Sequence, residues 1–184
     1  MTLADTIVEV LKEACARPER ATPASVCEAL ARETERHLDR VRFSAQRYMR
    51  HPIALWEGWE VMLIAWEKGQ VTPVHDHRGV LGGMAMLSGT LDEERFETPG
   101  RRPELYDKRL RPEGDLCDIG PTVLHRLMPV SPRAVSLHVY RPPLRTMGIW
   151  DETGMISIMP SAFDVDEEIL ARVDSPRAES ISKR

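Results

Sequence analysis

The sequence predicts a mainly β fold, one β-barrel or sandwich with α-helices packed on its outside. Three observations predict it. Apolar side chains recur at helical spacing within the first 45 or so residues. From Trp56 onward, short runs of branched and large apolar residues alternate with Gly, Pro and Asp clusters, the texture of many short strands. A length of 184 residues with 42% hydrophobic side chains is enough for one well-buried core and short for two. Residues 1–184 are therefore read as one domain, with a helical segment over 1–45, the barrel over 46–160 and a C-terminal segment over 161–184.

In chain order, the first helix opens on "TLAD", a capping box, and carries Leu3, Ile7, Leu11 and Ala14 along one face. The second opens on "TPASVCEAL", with Thr22 as N-cap and Pro23 at the first helical position. Strands are expected in "WEVMLIAW", "QVTPVHDH", "VLGGMAML", "TVLHRLM" and "AVSLHVY". The charged, proline-rich "ETPGRRPELYDKRLRPEGD" reads as a hairpin connection followed by an edge strand. The tail "VDSPRAESISKR" has little to bury and is expected to fray. The sequence has no internal repeat.

Composition narrows the function classes. The net charge is −4 and Lys and Arg are scattered, so there is no electrostatic footprint for nucleic acid. No apolar run approaches the roughly 20 residues of a membrane span. Asp5, Glu9, Lys12 and Glu13 interrupt the N-terminus, against a secretory signal. Cys15, Cys27 and Cys117 are odd in number and lack paired spacing, which fits small buried thiols in a reducing cytoplasm.

The chemically loaded stretch is "VTPVHDHRGV" at 71–80. In a helix, residues two apart point to nearly opposite sides. In a strand they share a face, roughly 7 Å apart at about 3.3 Å per residue. Pro73 and the β-branched neighbours favour the strand, so His75 and His77 are expected to aim at one point inside the barrel while Asp76 faces away, as a candidate partner behind the ligands. The competing reading is a pair of half-exposed strand histidines. Ser136, His138 and Tyr140 alternate in "AVSLHVYRPP" on one face of another strand. They are either a solvated face with Val135, Leu137 and Val139 in the core, or a relay that orients a phenol.

Gly69 before the histidine pair, Gly82 and Gly89 after it, and "GDLCDIGPTVLH" with His125 eleven residues after Gly114 resemble the two motifs of the cupin superfamily. The resemblance implies a small double-stranded β-helix barrel whose metal is held by His75, His77 and His125, since Gly82 stands where many cupins carry a glutamate. Three neutral imidazoles leave a divalent ion with its full charge and open positions, attractive to thiolate. Iron(II) and zinc both suit such a donor set.

"YMR" at 48–50, "AWEKGQVTPVHDH" at 65–77, "LH" at 124–125 and "AVSLHVYRPP" at 134–143 together resemble bacterial cysteine dioxygenases, cupin-fold thiol dioxygenases of type I, over about residues 46–150. The resemblance implies one iron(II) per chain on His75, His77 and His125, a substrate carboxylate on Arg50 with Tyr48 beside it, and Ser136, His138 and Tyr140 as an outer triad. Without it, Arg50 would read as a surface charge; Trp66 matches an aromatic of the family and is read as packing. The animal enzymes carry a cysteine cross-linked to the tyrosine at the position of Gly82, so no Cys-Tyr cross-link is expected here. Arg141 stands where the family often has a small residue. Arg145 falls in the region where 3-mercaptopropionate dioxygenases tend to place their carboxylate-binding arginine. The expected activity is oxidation of L-cysteine by dioxygen to cysteine sulfinic acid. The alternatives are 3-mercaptopropionate or another small thiol-carboxylate as substrate, or a non-oxygenase metal-binding cupin acting as sensor or isomerase. The expected partners are the thiol and dioxygen, with no nucleic acid or membrane, in a cytoplasmic monomer or weak homo-oligomer.

Overall fold

The protein is described here by a computed structural model that covers residues 2–160 and 173–174. Helix α1 (Leu3–Ala16) is closed at its start by the expected capping box: Thr2 Oγ1 accepts from the Asp5 backbone N–H, and Asp5 Oδ2 from that of Thr2. Helix α2 (Pro23–Glu35) repeats the device with Thr22 and Ser25, and Pro23 occupies its first turn, where its missing N–H costs nothing. No helix among the described residues is long and apolar enough to cross a membrane.

The strands are β1 (Met49–Trp56), β2 (Trp59–Glu67), β3 (Val74–Asp76), β4 (Leu81–Ser88), β5 (Thr90–Glu97), β6 (Glu104–Pro112), β7 (Leu116–Ile119), β8 (Leu124–Pro129), β9 (Arg133–Arg141), β10 (Thr146–Asp151), β11 (Gly154–Pro160) and β12 (Val173–Asp174). They form two six-stranded sheets, ordered β12-β1-β2-β9-β4-β7 and β11-β10-β3-β8-β5-β6. Between β2 and β5 the chain changes sheet at every connection, and it does so again at every connection from β6 to β10. The link from β8, which carries His125, to β9 is short enough in the sequence to read as a hairpin, yet it is one of these crossings and carries the chain from one sheet to the other. The charged segment behaves as expected: β5 and β6 pair as a hairpin and β6 lies at the sheet edge. Of the C-terminal segment 161–184, Val173–Asp174 pair in parallel with β1; the tail expected to fray otherwise lies outside the described residues.

Helices and barrel are joined through the outer face of the first sheet. Leu3, Ile7 and Leu11 of α1 and Val26, Cys27 and Leu30 of α2 pack with Val61, Leu63, Val135, Leu137 and Val139. At roughly 1.5–3 kcal/mol per large apolar side chain removed from water, this layer is a major part of the stabilisation. Gly83 marks the closest approach: a Cβ there would lie 2.4 Å from the backbone of Pro23 and Ala24. Strand β9 is consequently buried on both faces. The polar row is therefore not a solvated face: helices cover Val135, Leu137 and Val139, as that reading had them in the core, while the barrel interior encloses Ser136, His138 and Tyr140.

Candidate metal centre

Two sheets facing each other supply the two halves of the site. On the second sheet, His75 in β3 pairs directly with His125 in β8. His77 follows one residue after β3, where Arg78 and Gly79 take positive φ and turn the chain back. Alternation along the extended backbone thus puts His75 and His77 on one side, as the spacing predicts. All three rings are buried, their centroids lie 4.6 to 5.3 Å apart, and one ligand atom from each falls within 4.8 Å of the others.

The hydrogen bonds behind two of these rings fix which nitrogen faces forward. A carbonyl and a carboxylate only accept, so His75 Nδ1 donates to Pro73 O (3.0 Å) and His125 Nδ1 to Glu93 Oε1 (2.9 Å). Both Nε2 atoms are then lone-pair donors. His125 Nε2 is buried and has no hydrogen-bond partner among the described residues, a costly arrangement unless something binds there. Burial, reinforced by the neighbouring His125, pushes His75 down to about 3, and burial likewise holds His77 well below the usual histidine range. Neutral, buried and convergent imidazoles fit a divalent metal ion.

The first sheet contributes the opposing wall. Arg50 in β1, Ile64 in β2 and Ser136 in β9 lie in one cross-strand row. Arg50 is buried and lines the cavity with Tyr48, Trp66, His138, Tyr140 and the three metal-facing histidines. The cavity is small, about 30 Å³. Tyr48 stacks on Trp66, with centroids 4.9 Å apart.

Trp66 is more than packing. Its Nε1–H donates to Ser136 Oγ (2.9 Å), Ser136 Oγ lies 2.8 Å from His138 Nε2, and His138 Nδ1 lies 3.3 Å from Tyr140 Oη. Burial, with Arg50 nearby, lowers His138 to about 3, so its ring is neutral and carries one N–H. Ser136 Oγ has both a proton and a second lone pair to offer His138 Nε2, so the serine holds that ring in place in either tautomer. Burial raises Tyr140 above the ordinary phenol range, so the phenol keeps its own proton.

A family model for cysteine dioxygenase type I matches residues 2–153. The chain belongs to the cysteine dioxygenase type I family. It is 31% identical over 118 residues to cysteine dioxygenase type 1 of Homo sapiens and 29% identical over 119 residues to that of Danio rerio. Each match covers 60% of this chain, which spans 59% of the length of these curated relatives. Among solved structures, an uncharacterized conserved protein with a double-stranded β-helix domain from Klebsiella pneumoniae aligns with TM-score 0.51 at 17% identity, over 61% of this chain and 92% of that one. That likeness places the barrel among the double-stranded β-helix, or cupin, folds.

The structure gathers the three expected metal ligands, the two expected carboxylate-binding residues and the expected triad. His75, His77, His125, Arg50, Tyr48, His138 and Tyr140 line one cavity, and Ser136 lies directly behind His138. Arg145 does not line it; its side chain is exposed in the link between β9 and β10. Arg141 also turns outward, its guanidinium 4.6 Å from the Trp59 ring. Gly82 faces Tyr140 across β4 and β9, and a Cβ there would meet Tyr140 Cε1 at 3.2 Å.

Two features differ from the sequence reading. Asp76 does not sit behind a ligand: it accepts from Trp150 Nε1 (2.8 Å) and from the Arg78 backbone N–H (2.8 Å), bracing the turn after His77. The carboxylate behind a ligand is Glu93, hidden in the charged run "LDEERF". Its signal was the period of two: Leu91, Glu93 and Arg95 share a face, and Leu91 is core. Burial alone would raise Glu93, but the hydrogen bonds from His125 and Arg111 and the adjacent Arg95 hold it well below the usual carboxylate range.

Proposed function

We propose that the protein is an iron(II)-dependent thiol dioxygenase that converts L-cysteine and dioxygen to cysteine sulfinic acid, both oxygen atoms ending on sulfur. The observation that carries this reading is the convergence of three buried histidines on a cavity whose opposite wall holds a buried guanidinium and a phenol in contact with His138. Iron(II) held by His75, His77 and His125 supplies a Lewis-acidic, redox-active centre that ionises the thiol and activates dioxygen. The thiol furnishes the electrons, so no organic cofactor or reductant is required.

The chain's own groups bind and orient. Arg50 offers a planar fork to the substrate carboxylate, and its burial strengthens that grip by excluding water. Tyr48, held against Trp66, borders the same end of the cavity. The Trp66–Ser136–His138 chain orients Tyr140, whose phenol hydrogen-bonds charge that develops on the reacting oxygen or sulfur. The exposed position of Arg145 favours Arg50 as the carboxylate site, and with it cysteine over 3-mercaptopropionate.

The test is oxygen uptake by the iron(II)-loaded protein with L-cysteine and with 3-mercaptopropionate, with product masses. Two oxygens added to cysteine is the expected result; preference for 3-mercaptopropionate, or no uptake with either, refutes the assignment. Arg50→Ala should raise KM for cysteine at least tenfold while leaving cysteamine, which lacks a carboxylate, little changed, on the order of the 1.5–3 kcal/mol of a charge-assisted hydrogen bond. Equal effects on both substrates would remove Arg50 from the site.

A further inference from the structure

The three histidines are held from behind in three different ways. His75 leans on a neutral carbonyl, His77 Nδ1 is buried with no partner among the described residues, and His125 alone rests on a carboxylate. That carboxylate is itself braced. Glu93 Oε2 accepts from Arg111 Nε (2.9 Å) and Nη2 (2.6 Å), Arg95 Nε lies 3.2 Å from Oε1, and Arg111 Nη1 reaches on to Asp115 (2.9 Å). Glu93 is 1% exposed and the His125 ring behind which it sits is equally buried.

We propose that Glu93 is a positioning residue of the metal centre, which locks His125 with Nδ1 protonated and Nε2 forward and supplies through that imidazole the negative charge that the ligands themselves lack. The inference rests on the three-histidine metal site of the reading above, not on its oxygen chemistry. A carboxylate that accepts from a ligand imidazole strengthens the opposite nitrogen as a donor and fixes the ring's orientation. The competing role, neutralising Arg95 and Arg111 in the interior, does not call for the contact with His125, because Arg111 also has Asp115. Sequence spacing and the fold converge on the contact: Glu93 lies opposite Leu127 and Arg95 opposite His125, so the carboxylate reaches the ring diagonally across β5 and β8.

Zinc is the probe, because it is redox-silent and its binding is independent of any thiol or oxygen. Competition against a chelator gives its Kd for the wild-type chain, Glu93→Gln and Asp115→Asn; nitrogen NMR of histidine side chains gives the His125 tautomer in the metal-free and zinc-loaded wild type. Glu93→Gln keeps an oxygen at hydrogen-bond distance and removes the charge, so zinc Kd should rise roughly ten- to a hundredfold. Asp115→Asn leaves the Glu93–His125 contact and both Arg111–Glu93 contacts in place, so it should raise Kd several-fold less than Glu93→Gln does. A protonated Nδ1 on His125 is expected with and without zinc. Equal changes in Kd for the two variants, or an Nε2-protonated His125 in the wild type, would overturn the inference, and the NMR arm stands even if Glu93→Gln does not fold. Failure of the wild type to bind zinc would instead overturn the metal site beneath it.

Discussion

Acid should destabilise the metal-free protein well before its carboxylates titrate. His75 and His138 are buried, and each is pushed by burial from 6.5 to about 3. A group whose folded pKa lies below its unfolded value binds protons preferentially in the unfolded chain, so its stability is complete above about pH 6.5 and is lost as pH falls toward the folded value. At about pH 5 the unfolded form of each histidine gains about 1.5 pH units of protonation, or roughly 2 kcal/mol, while the folded form gains almost nothing. Together these two cost about 4 kcal/mol, and His77 adds in the same direction. Glu93 does not confuse the result, because a depressed carboxylate loses its contribution only below about pH 4.5, its unfolded value. Against a typical total of about 5–15 kcal/mol, the loss is large. Urea unfolding of chelator-treated protein at about pH 7.5 and about pH 5, followed by the fluorescence of the buried Trp59 and Trp66, measures it directly. His138→Gln should shrink the difference by about 2 kcal/mol, since the amide does not titrate. A difference under about 1 kcal/mol would refute the reasoning, because neutral histidines would then not be imposed by burial.

Three further substitutions test other contacts. Trp66→Phe keeps the ring against Tyr48 but removes the N–H to Ser136; it should cost about 1 kcal/mol in unfolding experiments and lower kcat for cysteine with KM nearly unchanged. Gly82→Ala puts a Cβ 3.2 Å from Tyr140 Cε1 and 3.3 Å from Ile119 Cβ, so the phenol must shift; turnover should fall while metal content, by elemental analysis, stays the same. Gly83→Ala drives a methyl into the backbone of Pro23 and Ala24 at 2.4 Å, and should lower stability by about 1–3 kcal/mol or more as α2 is lifted from the barrel, read as a drop in urea midpoint.

Much of this arrangement was legible in the sequence because its period was local. The capping boxes at Thr2 and Thr22 are three-residue signals, and alternation in "VHDH" and "SLHVY" fixes which side chains share a face. What local period does not contain is sheet membership. The step from β8 to β9 reads as a hairpin, whereas the chain changes sheet there, and this crossing sets His125 opposite the Ser-His-Tyr row instead of beside it. The burial of both faces of β9 likewise depends on helices more than a hundred residues away in the chain. Glu93 and Trp66 were missed as partners for the same reason: their hydrogen bonds join residues 32 and 70 positions apart, and composition alone reads one as surface charge and the other as packing.

The division of the cavity between opposing sheets makes its chemistry separable. The imidazoles ride on β3 and β8, whereas Arg50, Trp66 and the relay ride on β1, β2 and β9, whose outer faces are clasped by α1 and α2. Leu137, sandwiched in chain order between Ser136 and His138, points into that clasp. Pressure on the helices therefore reaches first the wall that holds Arg50 and the Ser-His-Tyr row, one peptide bond away, while the three convergent histidines are anchored in the other sheet. Substitutions in the N-terminal helices should accordingly disturb the Arg50–Tyr140 wall before they disturb the three histidines.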